Sequence, residues 1–348
     1  MKVGILTFHR CINYGSYWQA RCLVEGVRAL GVDAVLLDHQ SVAVERAELR
    51  CAFRPTLPTP VQRQDFPAYA AKTRKFRAAF DRLPLSAPFP LHQPDRLDGY
   101  DMVLVGSDEV WNLQHPWYGG CPTFYGAGVR ARLAAYAASF GNQDSGLSPD
   151  WAARLDGFSA VSVRDENSRR IVRAALGREP EMVIDPCLLF PPPRRASNDR
   201  SDHIAVYGHN FPAWLVEPVR RHARARGLRL LSIGYRNDWA DTQRLDAGPA
   251  EFDQLIGTAQ GVVTNFFHGC VFALLHDRPL LAAPTPYRAN KVHSLLASLE
   301  AADRIVTADS SAAMLARLLT QPIDAARPLG AMRARSDRFL RSTLGLAA

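Results

Sequence analysis

The chain has 348 residues, of which 47% are hydrophobic and 22% are charged; this composition excludes a disordered protein and allows two domains with real cores. No apolar run approaches the roughly 20 residues that a membrane-spanning helix needs, and the apolar start is too short for a signal peptide, so we expect a cytoplasmic protein. The net charge of +8 favours an acidic partner. Because basic and aromatic residues are not interleaved as in RNA-binding proteins, we expect no nucleic-acid partner.

The six cysteines show neither metal-binding nor disulfide spacing. No two of them form a C-x-x-C pair, and several lie in apolar runs. This usage is typical of reduced, partly buried thiols in a reducing compartment. We therefore expect no metal site.

Strands and helices alternate in the first part of the chain. Periodicity and apolar content predict a helix at 16–29 and strands at 2–8, 33–38, 102–105, 133–139 and 160–164. Such alternation indicates a parallel sheet with helices on its faces. We predict an N-terminal Rossmann-like domain over residues 1–165.

Residues 41–100 interrupt this alternation as an insertion. Prolines mark an irregular loop, and 67–82 has helical spacing. The face opposite its apolar residues carries Lys72, Arg74, Lys75 and Arg77. The insertion is either a lid or acceptor-binding arm, or a plain amphipathic helix on the domain surface, and the pattern favours the plain helix.

The alternation resumes in the second part of the chain. It predicts strands at 182–184, 204–207, 228–233, 261–263 and 280–283, and helices at 213–226, 251–259, 271–275, 290–299 and 325–344. We predict a C-terminal Rossmann-like domain over 175–322, followed by a C-terminal helix over 323–348. The fold class is therefore α/β, with two Rossmann-like domains that face a cleft. The arginines of the last helix leave a peripheral contact with an anionic membrane open, although such a face is usually only solvated.

His268 lies where a buried strand turns into a buried helix, in the segment 264–269 (Thr-Asn-Phe-Phe-His-Gly). Free backbone N–H groups and the helix dipole favour an anion at such a turn. An imidazole there is well placed to transfer a proton to or from a bound anion. The alternative is structural: Asn265 caps the helix and His268 packs in its first turn.

The first predicted strand is followed by a turn that contains Asn13, Tyr14, Gly15 and Ser16. Ligands of open α/β sheets sit at such carboxyl ends. Gly15 allows close backbone approach, and Ser16 is a helix-capping residue type. Asn13 and Tyr14 either line a cleft or only shape the turn. Since the turn has neither a G-x-G-x-x-G pattern nor a P-loop lysine, it gives no support to a nicotinamide or ATP site.

Another strand end is followed by Ser107, Asp108, Glu109 and Trp111. A carboxylate at this place can accept a proton from a hydroxyl nucleophile. The alternative is that Ser107 or Asp108 caps a helix. Trp111 either stacks on a sugar ring or belongs to the core.

Three basic residues lie at or near strand ends. Arg164 can bind a carboxylate or a phosphate through two hydrogen bonds, or it forms a surface ion pair of little energetic value. Arg288 and Lys291 follow the strand after His268, which makes them candidates for the same pocket. Judged alone, Arg288 and Lys291 are each expected to be surface residues.

Together these segments resemble the polysaccharide pyruvyl transferase family. The matching stretches are 13–15 (Asn-Tyr-Gly), 106–112 (Gly-Ser-Asp-Glu-Val-Trp-Asn), 136–141 (Tyr-Ala-Ala-Ser-Phe-Gly), 162–164 (Ser-Val-Arg), 185–189 (Asp-Pro-Cys-Leu-Leu) and 264–269. No single stretch is decisive, but their common order over most of the chain is specific. The resemblance implies a two-domain fold similar to that of GT-B glycosyltransferases. It also implies transfer of the carbon unit of phosphoenolpyruvate to sugar hydroxyls, as a pyruvate ketal.

On this resemblance we assign His268 as the acid or phosphate partner and Asp108 as the base. The candidates for substrate binding are Asn13, Tyr14, Gly15, Ser107, Trp111, Ser139, Arg164, Asn265, Arg288 and Lys291. The partners are phosphoenolpyruvate and a carbohydrate or glycosylated acceptor, and the chemistry strictly needs no metal or further cofactor. We expect His268 and Arg164 to meet on the doubly anionic donor.

The chain also departs from the family pattern. Some members have an arginine two residues before the histidine, where this chain has Phe266. The charge that binds the donor must then come from Arg164, Arg288 or Lys291. Two other functions stay open: a sugar-nucleotide glycosyltransferase of the same fold, and a non-catalytic member of a biosynthetic complex. The sequence reveals neither the acceptor nor the oligomeric state.

Overall fold

A computed structural model describes residues 1–93, 97–193 and 201–347 of the protein. The chain forms two compact units. The first unit comprises Met1–Glu48, Arg82–Pro192 and Leu329–Ala348, and the second comprises Leu49–Asp81 and Pro193–Pro328. Each unit contains its own parallel sheet, so the predicted α/β class with two Rossmann-like sheets is confirmed.

The strands of both units are short and mostly apolar. In chain order they are β1 Lys2–Leu6, β2 Asp33–Leu36, β3 His39–Gln40, β4 Phe89–Pro90, β5 Met102–Val105, β6 Arg132–Ala138, β7 Ala160–Val163, β8 Glu181–Met182, β9 His203–Tyr207, β10 Arg229–Ile233, β11 Thr242–Arg244, β12 Gly261–Thr264 and β13 Leu280–Ala282. Central strands such as β5 and β9 are buried along their whole length, as is typical of parallel sheets that helices cover on both faces.

Helices connect these strands. They are α1 Tyr14–Ala29, α2 Val42–Phe53, α3 Phe66–Phe80, α4 Pro149–Asp156, α5 Glu166–Leu176, α6 Pro186–Leu189, α7 Ala213–Ala225, α8 Pro249–Thr258, α9 Phe267–Leu275, α10 Pro286–Ser298, α11 Ala312–Leu318 and α12 Ala326–Leu344, with short 3-10 helices at Arg63–Asp65, Pro122–Tyr125 and Ala302–Arg304. Among the described residues, every helix falls short of the length and apolar character that crossing a bilayer would require.

The strand order determines which loops come together. The first unit has the order β2-β1-β5-β6-β7-β8, with β3 and β4 as a separate pair, and the second has the order β11-β10-β9-β12-β13. Because neighbouring strands are parallel, their carboxyl ends lie along one edge of each sheet. The loops after β1, β5, β7 and β8 therefore share an edge in the first unit, and those after β9, β10 and β12 share one in the second.

Helix α3 and its flanks belong to the second unit, whereas the sequence places them in an insertion of the first domain. Tyr69 and Phe76 are fully buried. Arg236 donates to both carboxylate oxygens of Asp65, at 2.5 and 2.6 Å. The periodicity of 67–82 predicts this helix correctly, but periodicity carries no information about which sheet the helix packs against.

Helix α12 packs with the first unit, although the sequence presents it as a separate C-terminal helix. Ser336 Oγ accepts a hydrogen bond from Ile184 N at 3.0 Å, and Arg333 Nε donates to Leu188 O at 2.7 Å. Near the end of the helix, Arg132 donates to Thr343 O at 2.7 Å. The first unit thus extends to Pro192, beyond the predicted boundary at 165, and also includes the C-terminal segment from Leu329.

Candidate active site

The turn after β12 holds His268 in the first turn of α9, where the sequence places it. His268 is 8% exposed. Thr264 Oγ1 closes the turn, since it donates to Tyr207 O at 2.6 Å and accepts from Phe266 N at 3.1 Å. A Cβ on Gly269 would lie 2.1 Å from Thr264 Oγ1, so any other residue at this place would force Thr264 or the start of α9 to shift.

Asn265 does not cap α9, which corrects the structural alternative for this segment. The N-cap residue is Phe266, whose side chain makes no capping hydrogen bond. Asn265 instead donates from Nδ2 to His209 O at 2.6 Å and is fully buried. Its amide therefore ties the turn after β12 to the turn after β9.

Aromatic rings and a cation line the same edge of the second sheet. The ring of His209, after β9, lies 5.0 Å from that of Tyr235, after β10, and 5.3 Å from that of Phe266. The guanidinium carbon of Arg288 lies 4.2 Å from the centroid of Phe266. An arginine from α10 thus lies over the residue that replaces the arginine of some family members.

Arg288 makes polar contacts but forms no ion pair with the described residues of the second unit. Its Nη1 donates to Thr285 Oγ1 at 3.2 Å. No carboxylate of the described residues lies within 4.0 Å of its guanidinium nitrogens. Lys291, the other candidate on α10, is 8% exposed. The charge of Arg288 is therefore available to an anion, because it is not committed to an internal ion pair.

Lys72 and His209 belong to this edge and were missed in the sequence. Lys72 lies on the face of α3 that we expected to be solvated, yet it is 3% exposed, and its Nζ donates to Gly234 O at 3.1 Å. Burial lowers the pKa of Lys72 to about 8. Burial and the charge of Arg288 lower the pKa of His209 to about 4. His209 follows a predicted strand and could have been found by that rule, whereas no pattern marks Lys72 as buried.

The edge of the first sheet brings Asp108 and Arg164 together. Arg164 Nη2 donates to Asp108 Oδ1, and Arg164 Nη1 donates to Asp185 Oδ2, each at 2.9 Å. Ser16 Oγ donates to Asp108 Oδ2 at 2.7 Å, and Ser107 Oγ accepts from Arg164 at 3.3 Å. The strand ends thus hold Asp108 in a fixed orientation.

Arg164 is committed to this cluster and does not form the predicted surface pair. Its side chain is 1% exposed. Burial alone would lower the pKa of its guanidinium, but the carboxylates of Asp108 and Asp185 outweigh burial and raise it. Because Arg164 already binds two carboxylates, its two terminal nitrogens are not available to a donor substrate. Arg288 is therefore the better candidate for binding the anionic donor.

The first helix is capped by Asn13, which corrects the expectation for Ser16. Asn13 Oδ1 accepts from Gly15 N at 2.8 Å and from Ser16 N at 3.2 Å, while the Ser16 hydroxyl is used by Asp108. Tyr14 is 1% exposed. Asn13 therefore shapes the turn, as the alternative for this residue proposed.

Trp111 and Ser139 are internal, so neither side chain is placed to bind a sugar. Trp111 is fully buried, and its indole N–H donates to Phe124 O at 3.0 Å. Ser139 is fully buried as well, and its hydroxyl donates to Asp165 Oδ2 at 2.6 Å. Stacking on a ring requires an exposed indole face, which Trp111 lacks. Of its two alternatives, the core position is correct.

Comparison with solved structures supports the fold. A UDP-GlcNAc 2-epimerase of Methanocaldococcus jannaschii, in complex with UDP-GlcNAc and UDP, aligns over 99% of this chain and 100% of its own, with 11% identity and a TM-score of 0.53. MnaA of S. aureus with UDP aligns over 100% of this chain and 98% of its own, with 13% identity and a TM-score of 0.53. These likenesses show the GT-B-like fold alone.

The family follows from comparison of the sequence. No curated protein matches the chain. The family model for polysaccharide pyruvyl transferase matches residues 13–283, which include Asp108, Arg164 and His268 but end before Arg288. The resemblance in the six segments is thereby confirmed, and the chain belongs to the polysaccharide pyruvyl transferase family.

Proposed function

We propose that the protein transfers a pyruvyl group from phosphoenolpyruvate to hydroxyls of a sugar or glycan acceptor, as a ketal. Membership of the family supports a transferase that modifies polysaccharides. The observation that carries the choice of donor is Arg288, a cation with no carboxylate of the described residues within 4.0 Å, which lies over the ring of Phe266 after strand β12. A phosphate ester with a carboxylate is the kind of ligand that such a place favours.

The reaction places specific demands on the protein. The methylene carbon of the donor gains a proton, and the neighbouring carbon forms a bond to one acceptor oxygen as that hydroxyl loses its proton. A second hydroxyl then forms the other bond to this carbon, the bond from the carbon to the phosphate oxygen breaks, and the proton of that hydroxyl leaves with phosphate. The protein must supply an acid, a base and a cation for the phosphate.

Three side chains supply these groups in our proposal, and a fourth positions the base. His268 acts as the acid or as a hydrogen-bond partner of the phosphate, and Asp108 acts as the base. Arg288 binds the anionic donor. Arg164 acts as a positioning residue, because its two nitrogens hold Asp108 and Asp185 rather than a ligand.

The role of His268 can be tested against a matched histidine at the other end of the same helix. We expect His268→Ala to lower turnover by about 10²–10⁴-fold, the usual contribution of one general acid or base. His276→Ala should retain turnover, since Nε2 of His276 lies 2.7 Å from Asp253 Oδ1 and its role is structural. Phosphate release from phosphoenolpyruvate with a panel of glycan acceptors measures both. Near-full turnover by a folded His268→Ala protein would exclude the acid role.

A sugar-nucleotide glycosyltransferase is the second candidate, because the two similar structures described above contain UDP. Phosphorus NMR of the protein with phosphoenolpyruvate and, separately, with nucleotide sugars distinguishes the donors. We expect inorganic phosphate to appear only with phosphoenolpyruvate. Consumption of a nucleotide sugar would support the second candidate, and binding of phosphoenolpyruvate without turnover on any acceptor would support a non-catalytic member.

A further inference from the structure

We infer that Lys72, together with His209 and Arg288, binds the phosphate group of the donor, and that residues 49–81 therefore belong to the donor site. The inference rests on the proposed function for the identity of the donor. It adds a binding residue from a helix that the sequence left open as a lid, an acceptor arm or a surface element.

The three side chains are linked through aromatic rings at the edge of the second sheet. Lys72 Nζ lies 4.7 Å from the centroid of Tyr235, and the Tyr235 ring lies 5.0 Å from that of His209. On the other side of His209, Phe266 lies 5.3 Å away and carries the guanidinium of Arg288 at 4.2 Å. His209 is thus placed between a lysine and an arginine.

The electrostatics of this cluster favour an anion. The charges of Arg288 and Lys72 both lower the pKa of His209, because each opposes protonation of the imidazole. Burial lowers the pKa of Lys72 to about 8, so the ammonium is costly in its present surroundings. A phosphate dianion would offset the repulsion between these cations and restore the charged form of the lysine.

His209 adds a neutral hydrogen-bonding group. It is 8% exposed, and its Nδ1 has no hydrogen-bond partner within the part of the chain that the structure describes. With a pKa of about 4 the imidazole is neutral at neutral pH. A neutral imidazole can donate one N–H to a phosphate oxygen without adding a third positive charge.

Helix α3 is anchored on both sides of Lys72, which fixes the position of its ammonium group. Before it, Asp65 pairs with Arg236 at 2.5 Å. After it, Lys75 pairs with Asp246 at 3.2 Å and also with Glu251. A segment tied at two places to the second unit is suited to hold a binding residue, because little side-chain and loop entropy is lost when the ligand binds.

Direct binding of inorganic phosphate and of phosphoenolpyruvate by the full chain, measured by isothermal titration calorimetry, tests the inference. We expect Lys72→Met to weaken both by about tenfold or more, as for the loss of a charge-assisted hydrogen bond. Arg74→Met is the matched control: it removes one positive charge from the exposed face of the same helix, and it should leave both affinities unchanged.

The pH dependence separates binding from a structural role of Lys72. Above pH ~8 the wild-type lysine loses its proton, so phosphate affinity should fall there, whereas Lys72→Arg should keep its affinity because arginine stays charged. This comparison also decides the case if Lys72→Met does not fold. Equal phosphate affinity in wild type and folded Lys72→Met, equal pH profiles of wild type and Lys72→Arg, or no phosphate binding by the wild type would overturn the inference.

Failure of the two proposals can be told apart. If Lys72→Met loses phosphate but no acceptor receives a pyruvyl group, the phosphate site stands and the proposed function fails. If pyruvyl transfer is observed while Lys72→Met keeps the wild-type KM for phosphoenolpyruvate, the function stands and the role of Lys72 is wrong.

Discussion

Arg164 lies between two carboxylates, Asp108 and Asp185, with its side chain 1% exposed. A buried charge is stable only when its partners are present, because each partner compensates for the loss of water around the other. The three side chains follow three strands, β5, β7 and β8. Their ion pairs therefore define the geometry of the strand ends as well as the orientation of Asp108.

Removal of the Arg164 guanidinium should strongly destabilise the folded protein. We expect Arg164→Met to lower the free energy of unfolding by about 3–5 kcal/mol, since it leaves two carboxylates in a buried place without a cation. Arg169→Met is the control, because Arg169 pairs with Glu166 and Glu179 at an exposed site where water screens the attraction, and little should change. Urea unfolding measures both. A loss in Arg164→Met as small as in Arg169→Met would contradict the structural role.

Residue types in the sequence indicated some roles and concealed others. His268 is in the first helical turn, as expected from the strand and helix on either side of it. Ser16 and Asn13 are both capping types, and only the observed start of α1 decides that Asn13 is the cap. For Trp111, the motif carries no information about depth, and burial is what decides between a core residue and a sugar platform.

At the scale of elements, the join between β12 and α9 depends on contact of Gly269 with Thr264. The hydroxyl of Thr264 closes the turn through two hydrogen bonds, and the missing side chain of Gly269 makes room for it. Any side chain at residue 269 would push the first turn of α9, and His268 with it, away from the strand.

A pair of glycine substitutions tests this contact. Gly269→Ala should lower the free energy of unfolding by about 1–3 kcal/mol, as expected for an overpacked site, and should also lower turnover through displacement of His268. Gly330→Ala, in α12, has open space around the added carbon and should raise stability by about 0.5–1 kcal/mol. Thermal unfolding compares the two variants. A Gly269→Ala protein as stable as the wild type would show that the turn can relax.

The strands and most helices were predictable because parallel strands are continuous apolar runs and helices repeat every three or four residues. The burial of part of the basic face of α3 could not be predicted in this way. Its lysines and arginines predict a solvated face, but Lys72 turns inward toward Gly234, and Lys75 pairs with Asp246, far along the chain. Which element covers a helix is a property of the fold rather than of the helix.

At the scale of the whole molecule, the chain divides less simply than a boundary near residue 165 suggests. Residues 49–81 join the second unit and Leu329–Ala348 rejoin the first. Both exchanges depend on contacts between distant residues, such as Ser336 with Ile184 and Asp65 with Arg236. Local patterns cannot show such contacts, so they gave the class of fold and the strand-end segments but not the composition of the units.

Buried neutral histidines should make the whole molecule sensitive to mild acid. Burial, together with the charge of His9, lowers the pKa of His39 to about 3, and His209 has a pKa of about 4. In the unfolded chain both titrate near pH ~6.5, so the unfolded state binds more protons below that pH. The stability that the two neutral histidines contribute is complete above pH ~6.5. It is lost as the pH falls toward their pKa values in the folded protein.

We expect the free energy of unfolding to decrease from about pH 7 to about pH 5, with up to ~1.4 kcal/mol per pH unit from each histidine. His39→Gln should show a smaller slope, because glutamine can still donate to Thr7 O, which His39 Nε2 contacts at 2.8 Å, but does not titrate. Urea unfolding at several pH values measures the slopes. Identical slopes in wild type and His39→Gln would refute the assignment.

The position of helix α12 at the end of the chain has a consequence for folding during synthesis. Ribosomal synthesis produces β1 to β8 first, together with residues 49–81 of the second unit, then the rest of the second unit, and the greater part of α12 only afterwards. Until then Ile184 N lacks the hydroxyl of Ser336, and Leu188 O lacks the guanidinium of Arg333. The nascent sheet of the first unit must therefore wait with one flank uncovered, while the second unit can already fold on the ribosome. Chaperone dependence during translation should accordingly concentrate on the half of the protein that emerges first.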